Sequence, residues 1–217
     1  MRAVSKIRTL NEMQTALDQE MAWRIKEIGV FKVGAGSNGP RRKPFIRAGV
    51  ALLYAHWEGF IKNSSEIYLS YVESRALRYR DLKSCFVVFG LKGKINTLVD
   101  SKKSLPNVEA MDFILSNMNE TAKLQISSAV NTGSNLTSKV FSNIAGSLDI
   151  DTSPYETKFH LIDSSLVDRR NKVAHGEFLD IEGSDFSSLV DDMLSLMRMY
   201  KTDIENAASL ENYRRAA

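Results

Sequence analysis

The chain has 217 residues, 43% apolar and 25% charged, with 29 Lys and Arg against 26 Asp and Glu for a formal net charge of +3. That length fits one globular domain, or one with appendages. An excess of three charges is too small to imply a nucleic-acid or membrane partner from bulk electrostatics, so such a partner must be read from local clusters. The single cysteine, Cys85, excludes an internal disulfide and a cysteine-rich zinc site. Within Cys85-Phe86-Val87-Val88-Phe89 it reads as a buried thiol in a reducing cytoplasm. The start, Met1 to Lys6, lacks an apolar signal core, and no stretch reaches the roughly 18 uninterrupted apolar residues of a spanning helix. A cytoplasmic protein without membrane contact is expected.

Over residues 8–33, Leu10, Met13, Leu17, Met21, Ile25, Ile28 and Phe31 recur at spacings of three and four, the stripe of an amphipathic helix. The run Gly34-Ala35-Gly36-Ser37-Asn38-Gly39-Pro40 is expected to break it as a linker. Pro44 to about Leu77 reads as one long helix or a kinked pair, with Ile46, Val50, Leu53, Trp57, Phe60, Ile61, Tyr68 and Val72 in register. A third helix fits Leu82 to Leu98, though its β-branched and aromatic centre leaves a local strand open. Residues 101–150 read as an inserted or variable helical region, with short helices near 108–117 and 136–147. Asp151-Thr152-Ser153-Pro154 signals a new helix, with Ser153 as N-cap, Pro154 first in the helix and Glu156 at N3. It runs to about Ala174, where Gly176 can stop it. Ser184 or Asp185 is expected to cap the last helix, which carries Leu189, Met193, Leu196, Met197 and Tyr200, and 205–217 reads as a polar tail. No period-two alternation and no internal repeat is present, so an all-α fold follows.

Gly34 to Gly39 spells G-x-G-x-x-G, but it follows a helix where the dinucleotide fingerprint needs a strand, so it carries no phosphate-site argument. His56, His160 and His175 are scattered and lack an HExxH or cysteine partner, so neither a metal nor a cofactor is expected. No hydrolase triad assembles. What stands out is Asp168-Arg169-Arg170-Asn171-Lys172-Val173-Ala174-His175-Gly176-Glu177, with three cations, an amide and an imidazole at a helix end. Asn171 and His175 are four apart and share a face, whereas Arg170 and His175 lie about 140° apart around an ideal helix. Physics alone leaves two readings: a functional cluster, or a solvated basic helix end favoured by the helix dipole.

The spelling adds to this. Arg170-Asn171-Lys172-Val173-Ala174-His175 resembles the R-N-x-x-A-H form of the R-x4-6-H motif of the HEPN superfamily. Upstream, Ala55-His56-Trp57-Glu58-Gly59-Phe60-Ile61-Lys62 resembles the H-W-E-x-[FL] element of its RiboL-PSP-like branch, which includes small stand-alone bacterial proteins. The motifs occur in the family's order, and the resemblance covers most of the chain. It implies a single HEPN-like helical bundle over 1–217, a homodimer, and in active members a metal-independent endoribonuclease of toxin–antitoxin or other defence systems. It also implies RNA as partner, together with an antitoxin or another defence-system protein.

Those residue types suit that chemistry. Metal-free RNA cleavage must activate the 2′-hydroxyl, stabilise a pentacoordinate phosphorus and protonate the leaving 5′-oxygen. Histidine exchanges protons near neutral pH and arginine holds phosphate oxygens while staying charged. The expected catalytic group is therefore Arg170, His175 and Asn171, with Lys172, Arg169 and Lys62 on the RNA. A two-fold dimer apposing two motifs would supply both an acid and a base. Glu58 and His56 are the supporting candidates, but at i and i+2 they cannot face one cleft. Glu58 either supports the cleft, by pairing with Arg170 or orienting His175, or serves structure, including an ion pair with Lys62. His56 reads more readily as structural, Trp57 as core, and Tyr155 and Tyr200 as bundle aromatics. Glu177 stands where HEPN toxins silenced by nucleotidyltransferases carry tyrosine, so that control is unsupported. The basic runs Arg41-Arg42-Lys43, Lys102-Lys103 and Arg169 to Lys172 would track RNA only if the fold brings them together. The competing function is a non-catalytic RNA- or nucleotide-binding module or docking subunit.

Overall fold

The computed structural model describes residues 7–36, 39–126 and 130–216. The Met1 to Lys6 start, residues 37–38 of the glycine-rich run, 127–129 of the middle region and 217 lie outside them. Seven α-helices account for most of the described residues, and none of these is in a strand.

Helix α1 (Leu10–Gly36) begins with a reciprocal cap: Glu12 N–H donates to Thr9 Oγ1 at 3.1 Å and Thr9 N–H to Glu12 Oε2 at 3.1 Å. Arg8 N–H, at 2.7 Å, and Thr9 N–H donate to the Glu12 carboxyl and hold it below its usual range. Glycine was expected to end this helix at residue 33, yet it runs on to Gly36. A Cβ at Gly34 would fall 2.6 Å from Phe45 Cδ1, so the missing side chain lets the next helix's aromatic ring close against the last turn. The linker expectation therefore fails at Gly34, Ala35 and Gly36.

Helix α2 (Arg42–Ser74) is one uninterrupted 33-residue rod. Pro44 is tolerated because it falls in the first turn, where its missing N–H has no intrahelical partner. Residues Ile46 to Val72 of the expected stripe are buried, and α2 packs against both α1 and α7 (Gly183–Ser209), which also pack on each other. Each fully buried Leu, Ile or Phe in this layer contributes about 1.5–3 kcal/mol. Helices α3 (Ser84–Asp100) and α4 (Ser104–Asn117) pair off beside them. The apolar centre of α3 is helical throughout, and α4 begins four residues before its expected start because Pro106 sits within its first turn. Cys85 is half-buried, and that burial pushes its thiol up.

Helix α5 (Ser138–Ser147) is capped by Thr137 Oγ1, and Asp163 accepts from Ser138 N–H at 2.7 Å. Its Phe141 meets Trp57, Tyr155 and Tyr200 at ring separations of 5.4, 4.9 and 5.6 Å, so both tyrosines belong to the core. The expected helix from Ser153 to Ala174 forms with three successive windings: a 3₁₀ turn over Ser153–Lys158, a π-helical turn over Leu161–Val167, and α6 (Asp168–Ala174). Asp151 caps its start instead of Ser153, accepting from Ser153 N–H at 3.0 Å and Oγ at 2.7 Å. Neither Ser184 nor Asp185 caps α7, which starts at Gly183 after Glu182. Over its described residues, 205–216, the expected polar tail is not free. Helix α7 continues to Ser209, Tyr213 is fully buried against Tyr71, and Arg215 N–H bonds to Asp81 C=O at 2.9 Å. Among the described residues no helix is long and apolar enough to cross a membrane.

Candidate functional site

The π-helical turn places one extra residue in the winding just before α6, a feature often found beside functional residues. Its Asp163 is anchored to the start of α5, so the approach to α6 is fixed. The far end of α6 closes in a Schellman turn. Gly176 N–H bonds to Val173 C=O at 3.2 Å and Glu177 N–H to Lys172 C=O at 2.9 Å. Gly176 has φ of 72°, a conformation that a side chain at this position would strain. The sequence expectation that Gly176 stops the helix thus has a geometric cause. His175 occupies the C-cap and is exposed.

The cluster divides between two directions. Arg169, Asn171, Lys172 and His175 line an open cleft of about 510 Å³ together with Ser164, Glu177 and Asp180. Arg170 does not line it. Its guanidinium lies over the Tyr54 ring of α2, Cζ 3.9 Å from the centroid, and donates to Asn171 Oδ1 at 3.0 Å. Asn171 is therefore the link between the withdrawn arginine and the cleft that His175 lines. The divergence of Arg170 and His175 matches the angle expected from their spacing.

Tyr54 was missed by sequence reasoning. It is buried, 3% exposed, and its hydroxyl accepts from Leu136 N–H at 2.7 Å, so it couples the loop before α5 to Arg170. Burial pushes the phenol up, partly offset by the Leu136 amide and by Arg170. The available signal was its position four residues before Glu58, on one side of α2. The negative charge of Glu58 reaches the Tyr54 hydroxyl, so Glu58 belongs to this side of the helix. Among the described residues it forms no ion pair with Arg170 or Lys62 within 4.0 Å. Lys62 is exposed, and its charge acts on Glu66.

His56 is not brought to Arg170. It turns to α1, with its ring edge-on to Trp23 at 5.0 Å and Nε2 3.1 Å from Glu27 Oε2, off the line of a hydrogen bond. Burial there pushes its pKa down, with Glu27 opposing and Arg24 adding to the shift. Trp57 is core. The basic run at the start of α2 lies near the cleft but is already partnered: Arg42 pairs with Glu182 at 2.9 Å and Lys43 with Asp180 at 2.9 Å. Arg47 donates to Glu177 C=O at 2.7 Å. By contrast, Arg169 and Lys172 have no acidic partner within 4.0 Å among the described residues. In the same set no group of three or more His, Cys, Asp or Glu side chains is placed to hold a metal ion.

Among known families, the model of the RiboL-PSP-HEPN family matches the chain over residues 19–206. That span contains α2, the π-helical turn and α6 with both motifs. Neither the curated proteins nor the solved structures give a match. The matched span takes in most of the chain and every residue of the cleft, and its helices are those of an all-α HEPN module, so the chain belongs to the RiboL-PSP-HEPN family.

Proposed function

We propose that the chain is a metal-independent endoribonuclease acting in a defence or toxin–antitoxin type of system, with Arg170, Asn171 and His175 at its reacting centre. The observation that carries the reading is the Arg170–Asn171 hydrogen bond, which joins a guanidinium to a cleft lined by an exposed imidazole and two unpaired cations. In the reaction a 2′-oxygen attacks the adjacent phosphorus, its proton passing to a neutral imidazole. The P–O5′ bond breaks, and a protonated imidazole gives its proton to the leaving 5′-oxygen, leaving a 2′,3′-cyclic phosphate and a 5′-hydroxyl. The guanidinium stabilises the negative charge on phosphorus-bound oxygens in the transition state. Asn171 holds that guanidinium, while Arg169 and Lys172 bind flanking phosphates. One chain offers a single histidine to the cleft, and a two-fold dimer apposing two motifs supplies the second.

Incubation with a mixed labelled RNA pool in EDTA tests this. Wild type is expected to give fragments with 2′,3′-cyclic ends, and His175→Ala to slow cleavage by about 10²-fold or more. Activity lost to chelators and restored by magnesium overturns the mechanism. A second reading is a non-catalytic RNA- or nucleotide-binding module or docking subunit in a defence complex, and what favours it is the withdrawal of Arg170 from the cleft onto Tyr54. RNA binding that survives His175→Ala, with no cleavage by wild type, selects it.

A further inference from the structure

Phe178 is 80% exposed, the highest value among the large apolar side chains described, and it lies outside the core cluster. Its chain neighbours Glu177 and Leu179 both line the cleft, while the Phe178 ring stands outside that lining, in solvent. The loop that carries it is clamped on each side. Before Phe178, Glu177 N–H bonds to Lys172 C=O at 2.9 Å and Glu177 C=O accepts from Arg47 at 2.7 Å. After it, Asp180 and Glu182 pair with Lys43 and Arg42, each at 2.9 Å. Lys43 Nζ, whose charge is shared with Asp180, also stands 6.0 Å from the Phe178 ring centroid. A fixed backbone therefore presents a bare aromatic ring beside a cation, three residues from His175 and so at most about 11 Å along the chain.

A nucleic-acid base matches this combination. Its flat face covers the ring, and its phosphates meet Arg169 and Lys172, the cleft cations that have no acidic partner within 4.0 Å among the described residues. A base inside a duplex has both faces already covered, so only an unpaired base gains from the ring. Resting on the RNA reading of the cleft, we infer that Phe178 is a base-stacking platform that makes the cleft select single-stranded RNA. It acts on specificity and binding, and takes no part in proton transfer.

The probe is a 2′-O-methyl oligonucleotide carrying 2-aminopurine, which cannot be cleaved through the 2′-oxygen, offered as a single strand and as the same sequence in duplex form. Wild type and Phe178→Tyr are expected to quench the single strand on binding. Phe178→Leu, which keeps apolar bulk without the ring, should bind the single strand about tenfold more weakly, the lower range of ring–base stacking. Its duplex affinity and melting temperature should stay at wild-type values. Equal single-strand affinity in wild type and Phe178→Leu overturns the inference, as does an equal loss on duplex. A change from dimer to monomer in Phe178→Leu also overturns it and assigns the ring to a protein interface. RNA cleavage by wild type with no Phe178 effect sinks this inference alone. Single-strand binding that depends on Phe178, without cleavage, sustains it while the ribonuclease reading fails.

Discussion

On one side of α2, Tyr54 lies beneath the Arg170 guanidinium, with Glu58 one turn further along the helix, and Asn171, bonded to that guanidinium, lines the open cleft. On the other, Arg24 and His56, 2% and 3% exposed, are enclosed between α1 and α2. Both sides pair a cation with an aromatic ring: Arg170 over Tyr54, and Arg24 over Trp23 at 4.4 Å. They differ in what else holds the cation. Arg24 is bound to the Glu20 carboxylate and to Glu20 C=O, and Asn63 of α2 donates to that carboxylate at 2.8 Å. Among the described residues Arg170 has one neutral hydrogen-bond acceptor and no carboxylate within 4.0 Å. A cation already neutralised by a partly buried carboxylate serves the fold, whereas one held by a ring and an amide keeps its charge available to an anion.

The comparison makes separable expectations. Arg24→Ala strikes the enclosed side and should cost about 3 kcal/mol in chemical denaturation, because it strands a partly buried carboxylate and empties space between two helices. Replacing both partners, Arg24→Met with Glu20→Gln, should recover most of that loss. RNA binding by either variant, measured where both are folded, should match wild type. If Arg24→Ala weakened RNA binding as much as a change in the cleft, the division between the two sides would be wrong.

Tyr54→Leu is the next largest effect, about 2 kcal/mol. It removes the ring under Arg170 and leaves the Leu136 amide without its acceptor. Tyr54→Phe separates the two contributions, since it keeps the ring and loses only the hydrogen bond. The Arg170 Nε–H resonance should move toward its ring-free position in Tyr54→Leu and stay near the wild-type position in Tyr54→Phe. A resonance that ignores both substitutions would show that the ring does not hold the guanidinium in solution.

How much of this was legible beforehand differed by region, for physical reasons. The stripes of α1, α2 and α7 depend on local periodicity, and their buried residues follow the sequence spacing closely. The end of α1 was misread because Gly34 is occupied by a contact from Phe45 eleven residues on, which no local rule contains. The angular split of Arg170 from His175, and of His56 from Glu58, was readable because it follows from helix geometry alone. Tyr54 and Phe178 were not, since one is defined by a ring contact from α6 and the other by exposure in a clamped loop. Both are facts of tertiary placement. The π-helical turn likewise reads as ordinary helix in sequence, because its apolar spacing barely departs from the α period.

His56 gives the smallest effect and the one with a defined sign. In the folded chain burial lowers its pKa below the ordinary histidine value, and Glu27, the carboxylate facing it, only partly offsets this while Arg24 reinforces it. The unfolded chain therefore takes up the proton first as pH falls, and it binds more protons than the folded chain below about pH 6.5. Stability contributed at this site is complete above the ordinary histidine value and is lost as pH drops through the folded one. Glu66 and Asp203, whose carboxyls burial pushes up, act in the opposite sense in the acid range, so the test must be a difference. Stability of wild type minus that of His56→Gln, followed from about pH 7 to 5, should decline with falling pH, because glutamine does not titrate. A difference that rises instead would mean that Glu27 outweighs burial, so that the 3.1 Å contact between His56 and Glu27 acts as an ion pair between α1 and α2.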